Sequence, residues 1–370
     1  MKIFVIYAEA GSGHKKIAEA IYEKLCTDLN NASLSIIDIL KFTPSIFQNI
    51  YSRGYIFLIS KFGWVWAVMF NLAETKKLSF FNVYLRKLIN RIFCKKFLKF
   101  IIQENPDLII STHFLINELV SFLKKKGLIK TKLISVVTDY GVHKFWIADC
   151  VDLYIAGCST TKEILITKGV AEEKIEVWGI PVRQQFLRPL DKSEIRNSLD
   201  IQNDEFVSLI VTGGIGIGPF EEIIRYLDDR ITVLVICGRN YKLYKELQKL
   251  NYKKVKLFGW VNNIAELMIS SDVIVTKGGG STIAECLALN LPMIFFSLIP
   301  GQEVENARIM KQCGAGIILK NPKDIAEQIF LLRDLPDHLE KMRNSISQIK
   351  KDNFFENLLK LINEKEFFNS

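Results

Sequence analysis

Asp272-Val273-Ile274-Val275-Thr276-Lys277-Gly278-Gly279-Gly280-Ser281-Thr282-Ile283-Ala284-Glu285 is the stretch that decides the fold. It opens as a short β-rich run, Asp272–Thr276, and turns through glycines into a helical pattern. Glycines there let the backbone approach a ligand closely, and the helix start offers free N–H groups to an anion. With a lysine and two hydroxyls beside it, the turn suits phosphate, and Glu285, one helical turn on, suits the two hydroxyls of a ribose. No Gly-Lys-Ser/Thr closes a spaced G-x-x-x-x-G loop, so ATP hydrolysis is not indicated.

The same strand–turn–helix unit repeats outward from this point. Downstream, Pro292–Phe296 leads into Ile299-Pro300-Gly301-Gln302-Glu303, whose amide and carboxylate match sugar hydroxyls, with Asn306 one turn on. Upstream, Phe206–Thr212 runs into Gly213, Gly214, Gly216 and Gly218 and then the helix Phe220–Leu227, a second turn suited to a diphosphate. Thr232–Cys237 and Val255–Phe258 complete that set. Earlier still come Ile3–Ala8, Leu108–Ser111, Leu133–Thr138, Leu153–Ala156 and Ile175–Trp178, each separated by helical spans. Such alternation means parallel sheets with helices on both faces. A polar stretch around Asp191–Asp204 divides the two sets, and 370 residues is long for one core. The expectation is an α/β protein of two Rossmann-like, doubly wound domains across a cleft: 1–185, a linker at 186–203, then 204–340. A C-terminal helical stretch, 341–370, would pack back on the first domain.

Two features in the first half carry chemistry. Gly11-Ser12-Gly13-His14 follows the first strand and opens a helix, where His14 suits a general base at neutral pH or caps the helix. Its spacing is not G-x-G-x-x-G, so a dinucleotide site is not indicated. Asp139 and His143 follow the strand Leu133–Thr138, and ligands bind beyond the carboxyl ends of parallel strands. Asp139 there orients a histidine or an acceptor hydroxyl, or else caps a turn.

Composition excludes other classes. The seven cysteines include no C-x-x-C pair and the four histidines are widely spaced, which argues against a disulfide scaffold or a zinc site. The opening apolar run is too short for a signal sequence, so a cytoplasmic location is expected. The net charge of +9 is local: residues 41–100 hold eleven Lys/Arg and one acid, Glu74. A local basic patch points to one anionic partner surface. Residues 42–104 also lack the strand–helix alternation and are rich in aromatics, Trp64 and Trp66 among them. Gly54–Ala73 is interrupted by Lys61, Gly63 and Asn71 and reads as interfacial rather than spanning. In Phe81–Ile102, Lys87, Arg91, Lys95 and Lys99 recur every four residues opposite Leu85, Leu88, Ile92, Phe93, Phe97 and Ile101. That pattern suits an anionic membrane surface, with Trp64, Trp66, Arg86, Lys87, Arg91, Lys95 and Lys96 as the contacts. The alternative is an ordinary helix with its apolar side on the core and its lysines in water. No nucleic-acid-binding module accompanies the patch.

In order, the motifs are Gly11–His14, Val137-Thr138-Asp139 with His143 and Trp146, Gly179-Ile180-Pro181-Val182-Arg183 and Cys237-Gly238-Arg239-Asn240. Gly259-Trp260-Val261, Thr276–Glu285 and Pro300–Ala307 follow. Together they resemble the processive diacylglycerol glycosyltransferases of bacteria and the monogalactosyldiacylglycerol synthases of plastids. They resemble more distantly the transferase that makes the lipid-linked disaccharide of peptidoglycan. The resemblance implies a GT-B architecture, acceptor in the first half and nucleotide sugar in the second. It implies transfer of a hexose from a UDP-sugar to diacylglycerol or a glycosyl-diacylglycerol, with inversion, for glycolipid synthesis at the inner face of the cell membrane. His14 would be the base, with Asp139 beside it and Gly13, His143 and Trp146 on the acceptor side. Gly213, Gly214, Gly218, Gly238, Arg239, Asn240, Thr276, Gly278, Gly279, Gly280, Ser281 and Thr282 would bind the donor, with the loop 213–218 and the turn 278–282 on its diphosphate. Val261 would meet the uracil, Glu285 the ribose, and Gln302, Glu303 and Asn306 the sugar. No cofactor or essential metal is implied. Relatives usually carry proline at the position of Gly278, and Gly or Asn at that of Ser12. A nucleotide-sugar epimerase of the same fold, a transferase acting on another lipid-linked acceptor, and a non-catalytic lipid-surface protein are the alternatives.

Overall fold

Apolar runs with helical spans between them become two six-stranded parallel sheets in the computed structural model. It describes residues 1–9, 11–49, 76–214, 216, 218–250, 252–364 and 367–368, with backbone alone for 76–84. The first sheet contains β1 (Lys2–Tyr7), β2 (Ser33–Asp38), β3 (Leu108–Ser111), β4 (Lys132–Val136), β5 (Leu153–Ala156) and β6 (Ile175–Val177), in the order β2-β1-β3-β4-β5-β6. The second contains β7 (Phe206–Val211), β8 (Ile231–Ile236), β9 (Val255–Phe258), β10 (Val273–Thr276), β11 (Met293–Phe295) and β12 (Gly316–Ile318), in the order β12-β11-β10-β7-β8-β9. Central strands are buried on both faces, as Ile109 and Ile110 in β3 and Val273 to Val275 in β10 are, so their sequences are unbroken apolar runs. Each sheet has its own core, one around Ile6, Ile109, Leu119 and Trp146, the other around Phe220, Val235, Val275 and Ile329.

Strand order decides where a ligand can sit. In the second sheet it reverses between β7 and β10, where ligands of open parallel sheets bind. The register pairs Val211 with Thr276, which brings the two glycine turns that follow side by side. In the first sheet Ile6 pairs with Ser111 and Ser111 with Ser135, so the loops carrying His14, Thr112 and Thr138 leave from one level.

The chain divides into two units, Met1–Gln184 with Pro300–Gln302 and Lys351–Ser370, and Gln185–Ile299 with Glu303–Lys350. The polar stretch 186–203, read as a linker, belongs to the second unit. Within it the helix Lys192–Ser198 is capped by Asp191, and Arg196, 3% exposed, donates to the carbonyls of Ser270, Asn203 and Glu205 and to Asp272 at 2.8 Å. The polarity marks a buried ion-pair hub. The last stretch is two helices, Pro336–Ile349 and Phe354–Asn363, parted by Lys350–Asn353, where Lys350 is extended. The second buries Phe354 edge-on to Trp178, at 6.2 Å.

Candidate active site

The carboxyl edge of the first sheet gathers three histidines. His14 lies in the first turn of the helix Ser12–Asp28, His113 follows β3 and His143 follows β4. The rings of His14 and His113 meet edge-on at 4.6 Å, and Trp146 lies 6.3 Å from His14. Trp146 is fully buried and donates its indole N–H to Asp139 Oδ2 at 3.2 Å, so its part is to hold the carboxylate, not to touch an acceptor. Asn117 fixes Trp146 in turn, donating to its carbonyl at 3.1 Å and to Ser135 Oγ at 2.7 Å.

Hydrogen bonding separates the three rings. His14 Nδ1 is 2.7 Å from the Thr112 carbonyl, which can only accept, so Nδ1 carries the proton and Nε2 is left with a lone pair. Thr138 Oγ1, 3.0 Å from Nδ1, is a second partner, and Thr112 Oγ1 donates back to the His14 carbonyl at 3.1 Å. His113 and His143 have the opposite tautomer. Each Nδ1 accepts a backbone N–H, from Leu115 and from Phe145, both at 3.1 Å, and each ring caps the helical turn that follows it. Burial holds the basicity of His14 below the ordinary histidine range, against the opposing charge of Asp139 and the Thr112 carbonyl. Burial, then the charges of His14 and His143, puts His113 lower still. Burial, with Arg86 and Lys168 behind it, takes His143 to about 3. At neutral pH all three are neutral, and His14 alone presents an unprotonated Nε2. His143 is therefore a cap in this structure. His113, absent from the sequence-based set, stands at the end of β3 just as Asp139 stands beyond β4, and the same strand-end rule points to it.

The second unit carries the glycine turns. Thr212, at the end of β7, leads into Gly213, Gly214, Gly216 and Gly218, and the turn Gly238–Asn240 lies against them. Arg239 N donates to Gly214 O at 2.9 Å and Asn240 Nδ2 to Gly216 O at 2.9 Å. Gly216 has φ +62°, and a Cβ there would fall 2.0 Å from the Cys237 carbonyl, so only glycine fits. Trp260, 52% exposed, lies over Gly214, with the Arg239 guanidinium 4.6 Å from its ring centre. Val261 follows it, half-buried.

Thr276, the last residue of β10, is buried, and Gly278 and Gly279 turn the chain into the helix Gly280–Ala288. Among the described residues no side chain caps that helix and no acid lies in its first turn, a helix start whose N–H groups suit an anion. Ser281 and Thr282 are half-buried there and Glu285 is buried one turn on. Gly278 packs directly under the Glu303 backbone, and Asn306 Nδ2 donates to the Gly278 carbonyl at 2.9 Å. Glu303 Oε2 accepts from Ile299 N at 2.8 Å. Glu303 and Asn306, expected at a sugar, brace the Gly278–Gly279 turn against the helix Gln302–Gln312, whose first residue is Gln302. Burial lowers the basicity of Lys277, opposed by the charge of Glu303.

Comparison with known proteins places the chain in a family. Residues 14–182 match the monogalactosyldiacylglycerol (MGDG) synthase family model, and residues 219–362 the glycosyltransferase family 28 C-terminal domain. A probable monogalactosyldiacylglycerol synthase 2 of Oryza sativa is 31% identical over 94% of this chain and 76% of its own. The chain belongs to the monogalactosyldiacylglycerol synthase family of glycosyltransferases. A processive diacylglycerol beta-glucosyltransferase of Bacillus subtilis is 28% identical over 99% of this chain and 96% of its own. Among solved structures, MurG of Acinetobacter baumannii superposes with a TM-score of 0.66 at 14% identity, covering 98% of this chain and 99% of that one. A UDP-GlcNAc 2-epimerase of Neisseria meningitidis superposes at 0.59, also at 14% identity and with 98% and 99% covered. These likenesses establish the GT-B fold.

One segment of this family member departs from the basic face read in its sequence. Residues 81–102 form two helices, Lys76–Phe93 and Lys95–Glu104, parted at Cys94. Arg86 and Arg91 turn inward, Arg86 to Glu118 at 2.9 Å and Arg91 over the Phe122 ring at 4.0 Å. Leu85, Leu88, Ile89 and Ile92 face outward, from 39% to 60% exposed. The reversal follows from Glu118, a buried carboxylate on the neighbouring helix Phe114–Lys125 that draws the guanidinium in. In the second helix Phe97, Leu98 and Ile101 are core while Lys95, Lys96 and Lys99 stay in water, as in an ordinary surface helix; Lys87 is half-buried. Trp64 and Trp66 lie outside the described residues. Among the described residues no helix is long and apolar enough to cross a membrane.

Proposed function

We propose that this glycosyltransferase moves a hexose from a UDP-sugar to the free hydroxyl of diacylglycerol or a glycosyl-diacylglycerol, with inversion, at the inner face of the membrane. The observation that carries the reading is the tautomer of His14. It has a neutral ring, clamped at Nδ1 by Thr112 and Thr138, whose Nε2 takes the hydroxyl proton as the oxygen attacks the anomeric carbon. Asp139, fixed by Trp146, stabilises the imidazolium that forms. The UDP leaving group gathers charge as the bond breaks. The start of the helix Gly280–Ala288, with Lys277 beside it and the Gly213–Gly218 turn alongside, supplies a positive field for that charge without a bound metal in this reading. Glu285 takes the ribose, and Gln302 and Glu303 the sugar.

The same reading places the protein on a bilayer through Leu85, Leu88, Ile89 and Ile92, with Lys95, Lys96 and Lys99 beside them for anionic headgroups. The test is UDP release from a panel of UDP-sugars, with and without anionic vesicles containing diacylglycerol. Vesicle-dependent turnover with one sugar, lost in His14→Ala, is the expected result. UDP release that ignores the acceptor would point to hydrolysis, and interconversion of the UDP-sugar without UDP release to epimerisation; either would overturn the proposal.

A further inference from the structure

One side chain joins the exposed apolar helix to the histidine cluster. Arg86 follows Leu85 in sequence but faces the other way, meeting Glu118 Oε2 at 2.9 Å and lying 3.9 Å over the centre of the Phe145 ring. Glu118 is 6% exposed, and its second oxygen accepts from Asn90 Nδ2 at 3.0 Å. Both oxygens of one buried carboxylate are therefore held from the helix Lys76–Phe93. Phe145 is the middle residue of the turn Lys144–Trp146, whose last residue holds Asp139 and borders His14. Phe114, at the start of the helix that bears Glu118, touches the rings of His143, Phe145 and Trp146 at 5.2, 5.8 and 6.1 Å. A single guanidinium thus grips the two elements that frame the cluster: the helix Phe114–Lys125 and the turn 144–146.

We propose that Arg86 is a positioning residue that couples the seating of the Leu85–Ile92 face on a bilayer to the Trp146–Asp139–His14 cluster, so that turnover rises when that face is covered. The inference rests on the bilayer reading above. In water, helix positions that would bury the four aliphatics compete with the seat that Arg86, Asn90 and Glu118 define. A bilayer removes that competition, because it favours the seat in which the aliphatics point outward. In that seat the planar guanidinium stacks on Phe145, a geometry lysine does not reproduce.

The experiment compares wild type, Arg86→Lys and the double variant Arg86→Gln/Glu118→Gln. The double variant removes both charges and strands no carboxylate. UDP release is measured with a dispersed short-chain diacylglycerol and saturating UDP-sugar, before and after adding phosphatidylglycerol vesicles that contain no acceptor. The ratio of the two rates is independent of the folded fraction, and co-sedimentation is measured alongside. Wild type should be stimulated on the order of tenfold, less than the roughly 100-fold that a 1 Å misplacement can cost. Both variants should sediment with the vesicles like wild type yet show a ratio near one. Stimulation equal to wild type in the variants overturns the inference. So does loss of sedimentation with stimulation, which would mean Arg86 only builds the docking face. Wild type that transfers sugar but is not stimulated overturns it as well, whereas wild type that transfers to no acceptor refutes the proposed function instead.

Discussion

Replacing Gly278 by alanine tests how the turn proposed to hold the diphosphate is braced. A Cβ at Gly278 would fall 2.1 Å from the Glu303 carbonyl oxygen and 3.0 Å from its Cα, and both are backbone atoms of a helix start that cannot swing aside. Restoring normal contact requires the turn and the helix Gln302–Gln312 to part by about 1 Å. The separation strains or breaks the bond from Asn306 to the Gly278 carbonyl, now 2.9 Å. Overpacking of this kind costs about 1–3 kcal/mol, and a lost buried hydrogen bond adds about 1 kcal/mol. Because the displaced groups face the diphosphate and the sugar in the proposed complex, kcat/KM for the UDP-sugar should fall on the order of 100-fold. Gly279→Ala is the control. Gly279 has φ −71° and no atom within 4 Å of the Cβ position, so the variant should keep the wild-type melting temperature. The assay is UDP release against donor concentration, with thermal unfolding measured on the same samples. If Gly278→Ala keeps wild-type KM and melting temperature, the contact does not govern the site.

Further outcomes follow from the same geometry. His14→Ala should lower turnover about 10²- to 10⁴-fold. Because burial holds the His14 pKa down, the acid limb of the wild-type rate profile should lie below the ~6.5 of free histidine, activity falling as pH drops through the lowered value; an acid limb at or above 6.5 would refute the assignment. His113 and His143 are buried neutral, so the unfolded chain takes up protons first as pH falls. Stability should be full above ~6.5 and fall below it, by about 1.4 kcal/mol per group at pH 5.5 in urea unfolding. His143→Asn should flatten that slope, and an unchanged slope would rule the ring out as its source. Leu88→Ser with Ile92→Ser should weaken vesicle partitioning roughly 30-fold, from two half-exposed aliphatics at about 1 kcal/mol each; equal sedimentation would exclude this face as the contact.

Much of the fold was legible in the residues. Buried parallel strands are unbroken apolar runs, so β1, β3, β7, β8 and β10 announce themselves. β2 and β12 do not: β2 is a partly exposed edge strand and β12 has only three residues. The glycine turns were equally readable, because close backbone approach admits few other residues. The polar stretch 186–203 reads as a linker because a buried arginine and a solvated one look alike in sequence; Arg196 reaches Ser270, 74 residues away.

By itself the sequence determined two doubly wound domains, the turns that suit a diphosphate and a histidine at the end of the first strand. Those features are local: strand periodicity, glycine and a helix start lie within one short segment. Tertiary structure alone decided the tautomer of His14, which is set by the Thr112 carbonyl, 98 residues on. It also decided that Glu303 and Asn306 brace a turn, and that Arg86 faces Glu118 while four aliphatics face out. A side chain's protonation and direction depend on the groups that surround it, and folding brings those groups from distant parts of the chain.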